Sequence, residues 1–490
     1  MTRTSPQIVV QRSYIDGSWI DLQDSGRPLC DPNTGEVRQP KLTTSPEDIE
    51  RALAAAHRFD EEGLARTIPL SERVEFLEAF ADELDNQQEA IALQDAITTG
   101  ATIRTTRLVA ASLGARVRSM VSDAKDLGES VDLGSENFPV KLLREPIGPA
   151  VIIAPWNVPA FTASGKVAAA LLAGCPVILK PSENTPTGVQ VLSEILVSVM
   201  QARDLPPAYF QLVQGGSAIG SLLTGDRRVA ALVFTGGVET GRAVAQQAAS
   251  ALMVTQMELG SNNTVIVRED ADVRRTAASL VQGTTRVNGQ WCEAPGKVLV
   301  HESLHDELAE ALREEFTALR VGDSLDEHTQ LGPLAFERHR DALRTEVARL
   351  ESLGGRFMGK QELPDLDGWF IAPGVIVGVA PGDATTELFG PLLTLHPVRD
   401  DEEALRLANA PEGGLDAYVF SSDIEAAMSL GSRIRAGEIR INGTFMSDLA
   451  SGSQQTFWGS SGIGGHAPQY GVRFFLGDRV VGVDAGNFAL

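Results

Sequence analysis

Between residues 146 and 258 the chain alternates short, continuous apolar runs with longer amphipathic stretches. The runs "PAVIIAPW", "PVILKPS", "YFQLVQG" and "VAALVFTG" are too short for helices and too uniformly apolar for half-exposed strands. They predict strands buried on both faces. Between them, "TASGKVAAALLAG" and "TPTGVQVLSEILVSVM" carry helical spacing, so the pattern predicts a parallel sheet covered by helices. A second series of the same kind starts at "NNTVIVRED", includes "GKVLVHESLHDELAEALREEF" and runs to about residue 450. Upstream, "YIDGSWID" and "DPNTGEV" read as short strands with turns. Ser45, Pro46 and Asp48 mark a helix start whose periodicity persists to about residue 125. The stretch "SVDLGSENFPVKLLREPIG" reads as an extended arm, and the final "GVRFFLGDRVVGV" as a strand. The expected fold is α/β: two doubly wound α/β domains with a ligand cleft between them, plus a small arm.

The net charge of −23, from 42 basic and 65 acidic residues, argues against a nucleic-acid or membrane-surface partner, since both need clustered cations. No apolar run has the length of a signal peptide or membrane span. Cys30, Cys175 and Cys292 are too scattered for a disulfide framework and lack a metal-binding spacing. A cytoplasmic protein without a metal is expected.

The chemistry candidates lie at strand ends. "FTGGVETG", 234–241, follows a strand and opens a helix, so Gly236, Gly237 and Gly241 would let backbone N–H groups approach a pyrophosphate. An ordinary strand-to-helix turn is the alternative. In "ILKPSE", Lys180 and Glu183 follow another strand, and Glu183 could accept from both hydroxyls of a ribose; a solvated pair is the alternative. "GIGGHA", 462–467, fits a dinucleotide expression, but no strand leads into it. Cys292, Glu258 and Asn157 would supply a nucleophile, a base and an oxyanion donor if the fold brings them together.

The order of "DPNTGEV", "PWN" at 155–157, "KPSE" at 180–183, "FTGG" at 234–237, "ELG" at 258–260, "GQWC" at 289–292, "ELFGP" at 387–391 and "SGIG" at 461–464 resembles the NAD(P)-dependent aldehyde dehydrogenase superfamily over nearly the whole chain. The resemblance implies a cofactor domain over 1–125 and 146–258, a catalytic domain over 259–450, and an oligomerisation arm and C-terminal segment over 126–145 and 451–490. It implies Cys292 as nucleophile, Glu258 as base and Asn157 as oxyanion donor. Pro155, Trp156, Lys180, Glu183, Thr235, Gly236, Gly237, Gly241, Leu259, Glu387 and Phe389 would contact the cofactor, NAD by preference with NADP possible. A homodimer or homotetramer is implied.

The chain departs from the family at Gly237, where serine is usual, at Ser261, where glycine is usual, and in "TFWG" at 456–459. The preceding loop, 443–455, is expected to line the substrate entrance. Val158, Thr162 and Gly165 suggest a roomy pocket, walled by Trp291 and Phe445, with Arg286 at its mouth or in a surface ion pair. A medium or large apolar or aromatic aldehyde is the expected substrate. Acylation of coenzyme A and cofactor-free thiol ester hydrolysis are the alternatives; Glu258 argues against the first.

Overall fold

The computed structural model describes residues 6–445, 449–450 and 452–484. An eight-stranded sheet has the order Ser18–Ile20, Ser13–Ile15, Phe210–Leu212, Val177–Lys180, Ala150–Ile153, Ala231–Gly236, Val254–Leu259, Gly462–Ile463. From Phe210–Leu212 to Val254–Leu259 all pairings are parallel, and the strands added at the edges are antiparallel. The chain runs outward from Ala150–Ile153 on one side and from Ala231–Gly236 on the other, so the order reverses between these two neighbours. At such a switch point the loops leaving the carboxyl ends diverge and leave a crevice. Gly462–Ile463 is therefore an edge strand, not a nucleotide loop.

The second sheet is seven-stranded, ordered Arg356–Gly359, Gly374–Val377, Leu392–Val398, Pro295–His301, Asn263–Val267, Asp416–Phe420, Glu438–Ile441. Only three residues, 260–262, lie between the strands Val254–Leu259 and Asn263–Val267, so the carboxyl edge of the first sheet adjoins the amino edge of the second. Each sheet is buried by its own apolar clusters, built from helices such as Pro159–Ala173 and Thr187–Gln201 on the first and Val273–Thr285 and His305–Ala318 on the second. Ser45 accepts from the Asp48 N–H at 3.1 Å and caps the helix Pro46–Glu61. A separate three-stranded antiparallel sheet joins Leu476–Gly482, Val140–Pro146 and Ser130–Asp132. Of the loop 443–455, residues 446–448 and 451 lie outside the described residues, as do 485–490 of the C-terminal segment. Among the described residues no helix is long and apolar enough to cross a membrane.

Candidate active site

Cys292, Glu258 and Asn157 line one cavity of about 890 Å³. Each reaches it from a different element. Asn157 follows the strand Ala150–Ile153 at the switch point, Glu258 is the penultimate residue of Val254–Leu259, and Cys292 precedes Pro295–His301 of the second sheet. The Glu258 carboxylate acts on the Cys292 thiol by charge and by a side-chain hydrogen bond. It also accepts from Thr235 Oγ1 at 3.3 Å. Burial, then the charge of Glu258 and of Glu293, pushes the Cys292 thiol well above its ordinary range. A thiol in that setting rests protonated and needs a base before it can attack.

The backbone ahead of Cys292 is bent into a conformation that only tertiary contacts can hold. Val287, Asn288 and Gly289 adopt φ of 48°, 58° and 78° in succession. A β-branched residue in the left-handed region is a genuine outlier, costing about 1–3 kcal/mol. The opposing contacts are local and specific. Asn288 Nδ2 donates to the carbonyls of Gly100 at 2.6 Å and Pro333 at 2.8 Å, while its Oδ1 accepts from the Gly332 N–H at 2.9 Å. Gln290 Oε1 accepts from the Ala335 N–H at 2.9 Å, and its carbonyl accepts from Asn157 Nδ2 at 2.9 Å. Downstream, Asn263 Nδ2 donates to the carbonyls of Cys292 at 2.7 Å and Ala294 at 2.9 Å. The thiol is thus carried on a loop fixed from both sides.

The cofactor candidates divide by place. Pro155, Trp156, Thr235, Gly236, Gly237, Leu259, Glu387 and Phe389 line the cavity with the thiol. Trp156 packs against Phe389 at 5.3 Å and Phe336 at 5.0 Å between ring centroids, and the Phe389 carbonyl accepts from His339 Nε2 at 2.8 Å. Burial pushes the Glu387 carboxyl up to about 8, and the Ser261 N–H donates to it. The Ser261 backbone thus orients Glu387. Lys180, Glu183 and Gly241 stand outside the cavity wall. Lys180 is buried and pushed down to about 8 by desolvation, while Glu183 is ion-paired to Arg27. A Cβ at Gly241 would lie 2.3 Å from Leu259 Cδ2, so glycine lets the helix Val238–Ser250 pack onto the neighbouring strand. A Cβ at Gly237 would meet nothing within 4 Å, and no side chain caps that helix.

Val158, Thr162, Gly165 and Trp291 line the same cavity. Arg286 and Phe445 do not stand in its described wall. Arg286 donates to the Thr444 carbonyl, packs 5.2 Å from the centroid of the Phe445 ring and makes no ion pair among the described residues, whereas Phe445 is 65% exposed. The space left by Gly165 is taken by Arg116, whose Nε lies 2.4 Å from where a Cβ would be, so the pocket is less roomy there than the glycine implies. Sequence reasoning missed Arg116 because it sits in a helix with an ordinary density of charges. It also missed Lys166, whose Nζ donates to Gln256 Oε1 at 2.8 Å and which burial pushes down to about 7 beside Glu258. Asn288 and Gln290, the pins of the loop, were likewise passed over.

A doubly wound half with an open switch-point crevice, joined to a second α/β half whose partly buried thiol shares a cavity with a carboxylate and a carboxamide, defines a class of α/β enzyme. The chain belongs to the aldehyde dehydrogenase family, whose sequence model matches residues 19–481. It is 32% identical over 476 residues to a non-phosphorylating aspartate-semialdehyde dehydrogenase of Halomonas elongata, covering 95% of this chain and 94% of that protein. It is 32% identical over 450 residues to geranial dehydrogenase of Castellaniella defragrans, covering 90% and 92%. Among solved structures, betaine aldehyde dehydrogenase of Staphylococcus aureus in complex with NAD+ superposes with a TM-score of 0.90 at 28% identity, covering 98% of this chain and 95% of that one.

Proposed function

We propose that this protein oxidises an aldehyde to the carboxylic acid with NAD, through a covalent intermediate on Cys292. The observation that carries the reading is the convergence of Cys292, Glu258 and Asn157 on one cavity that continues to the switch-point crevice. The residues present fit NAD. Open space lies in front of the uncapped helix start at Gly237, where backbone N–H groups favour a pyrophosphate, and the carboxyl of Glu387 faces the same cavity. Lys180 and Glu183 would hold the adenosine ribose, Gly236 and Gly237 the pyrophosphate, and Glu387 the nicotinamide ribose. Pro155, Trp156, Thr235, Leu259 and Phe389 would pack the nicotinamide end.

Glu258 takes the proton from Cys292, and the thiolate adds to the aldehyde carbon. The side-chain amide of Asn157, which keeps a second N–H beyond the one given to Gln290, and the backbone N–H of Cys292 hold the oxyanion. One such donor contributes roughly 2.7–4 kcal/mol to the barrier reduction. NAD, when bound, would supply the hydride acceptor, so that the thiohemiacetal carbon is oxidised to a thioester on Cys292. After releasing that first proton to solvent, Glu258 deprotonates a water that attacks the thioester carbonyl, the carbon–sulfur bond breaks, and the carboxylic acid departs as Glu258 returns the water's proton to the Cys292 sulfur.

Val158, Phe161, Thr162 and Trp291 give the pocket an apolar or aromatic body, which supports a medium or large apolar or aromatic aldehyde. The proposed assembly is a homodimer or homotetramer built through the three-stranded sheet, whose Val131, Val480 and Val481 are exposed. The free thiols Cys30, Cys175 and Cys292 suit a reducing cytoplasm. Mixing the protein with NAD and a panel of aldehydes tests the reading by NADH absorbance. NADH formation with release of acid is expected. Ester cleavage without NADH from any aldehyde would make it a thiol hydrolase, and a strict requirement for coenzyme A would make it an acylating enzyme.

A further inference from the structure

We propose that Lys166 is a second reacting centre of the cavity, an amine that captures the aldehyde reversibly as an imine in competition with Cys292. This rests on the reading that the cavity takes an aldehyde, and it deepens that reading with a reaction that regulates the same site.

The helix Pro159–Ala173 turns Thr162, Gly165, Lys166 and Ala169 towards the cavity, at the spacing of one helical face. Lys166 is the one lysine in the described wall. Its Nζ donates to Gln256 Oε1 at 2.8 Å and to the Tyr470 carbonyl at 3.4 Å. The buried Gln256 amide is held in that orientation, because its Nε2 donates to the Gly465 carbonyl at 2.8 Å. Both partners are uncharged carbonyl oxygens. Among the described residues the lysines in ion pairs are Lys125 and Lys141, not Lys166. An ammonium has three N–H groups to satisfy, whereas a neutral amine has two and a lone pair. Two carbonyl acceptors therefore suit the neutral form and leave its lone pair to the cavity.

The surroundings of Lys166 favour the same form. Burial, then the charge of Arg116 on the facing helix Leu113–Leu127, pushes it down to about 7, against which the Glu258 carboxylate pulls it up. His466 faces it too, and burial pushes that imidazole down to about 3, so it stays uncharged. A lysine desolvated to this degree is an amine nucleophile near neutral pH. Its position matches that role. Gln256 and Glu258 are alternate residues of the strand Val254–Leu259, so their side chains leave one face about 7 Å apart. The amine held by Gln256 is thus one strand step from the carboxylate that serves Cys292, and one cavity holds both nucleophiles.

The Nζ lone pair adds to the aldehyde carbon while the carbonyl oxygen takes a proton from the nitrogen, which gives a carbinolamine. Loss of water then leaves a carbon–nitrogen double bond, and water added back restores the amine and the aldehyde. No electrons leave the substrate, so no oxidant enters. An aldehyde held on Lys166 is withheld from the thiol, and oxidation limits itself at high aldehyde.

The test treats Cys292→Ala, which cannot form the thioester, with benzaldehyde or hexanal and sodium cyanoborohydride near neutral pH; the hydride of that reagent fixes an imine as a secondary amine. Peptide mass spectrometry is expected to find the benzyl or hexyl group on Lys166 at least about tenfold above any other lysine, because a lysine at its ordinary value is almost wholly protonated at that pH. Wild type without NAD, in which the thiohemiacetal reverts, gives the same reading should the variant not fold. A label spread evenly over the lysines, or none on Lys166, would overturn the inference. Wild type with NAD is run beside it. NADH from these aldehydes without a label on Lys166 would overturn the inference and leave aldehyde oxidation intact, whereas NADH from neither of them nor any other aldehyde would overturn the proposed function itself.

Discussion

Asn157 and Gln290, 133 residues apart in the chain, are joined by a 2.9 Å hydrogen bond from the Asn157 side-chain amide to the Gln290 carbonyl, two residues before Cys292. One amide therefore both braces the thiol loop and offers its remaining N–H to the cavity. Asn157→Ala should lower kcat/KM by about 10²- to 10³-fold, the scale of one lost oxyanion donor. Steady-state NADH kinetics check this, and a loss below about threefold would remove Asn157 from that role.

Glu258 is the largest charged influence holding the Cys292 thiol above its ordinary range. In Glu258→Gln that influence vanishes, so the thiol pKa falls and more thiolate is present at a given pH. Alkylation of Cys292 by iodoacetamide, followed by mass spectrometry, should show its pH midpoint move down in the variant although aldehyde oxidation is slowed. A midpoint that rises would mean the carboxylate favours the thiolate.

Gly289 combines a φ of 78° with a close approach, since a Cβ there would lie 2.1 Å from the Gly390 carbonyl carbon. Gly289→Ala must therefore part the thiol loop from the loop that bears Glu387 and Phe389. A loss of stability of at least about 1–3 kcal/mol is expected from the backbone alone, together with loss of activity. Denaturant unfolding measures the first, and an unchanged midpoint would show that the two loops separate freely.

Arg27 is ion-paired to Glu183, and a Cβ at Gly216 would lie 2.6 Å from Glu183 Oε2 and 2.8 Å from Arg27 Nη2, so both groups are held close to that glycine. The guanidinium offsets the repulsion that Glu183 would exert on a 2′-phosphate. Arg27→Ala should therefore raise KM for NADP by about tenfold, and that for NAD by much less, as a ~1.4 kcal/mol effect. Equal changes for both cofactors would place Arg27 outside this discrimination.

Asp95 is buried, and desolvation pushes its carboxyl up to about 8. Its folded-state value is raised above the unfolded one, so its contribution to stability is full below about pH 4 and is lost as pH rises through about 8. The melting temperature should fall between pH 5 and pH 9, and Asp95→Asn should flatten that fall. An identical slope in the variant would assign the pH dependence to other groups.

The alternation of apolar runs and helices carried the fold because both faces of each central strand are buried, which leaves short continuous apolar runs in the sequence. Cys292, Glu258 and Asn157 were legible for a related reason: each falls beside a strand whose position the pattern fixes. Arg116 was not legible, because its place depends on the absence of a side chain at Gly165 on another helix. Arg286 and Phe445 were misplaced for the converse reason. Their neighbourhood in sequence suggested the cavity, but the Thr444 carbonyl and the stacking of the two side chains on each other direct Arg286 elsewhere. The left-handed run at 287–289 was hidden too, since Val287 and Asn288 adopt it only under contacts from Gly100, Gly332 and Pro333.

The central claim is that Cys292 carries the substrate as a thioester. Intact-protein mass spectrometry of Glu258→Gln, quenched with acid after mixing with NAD and an aldehyde that the wild type oxidises, tests it most directly. The account predicts a mass increase equal to the acyl group, mapped to Cys292 and absent in the Glu258→Gln, Cys292→Ala double variant. NADH produced without any acyl adduct, or an adduct on another residue, would contradict it.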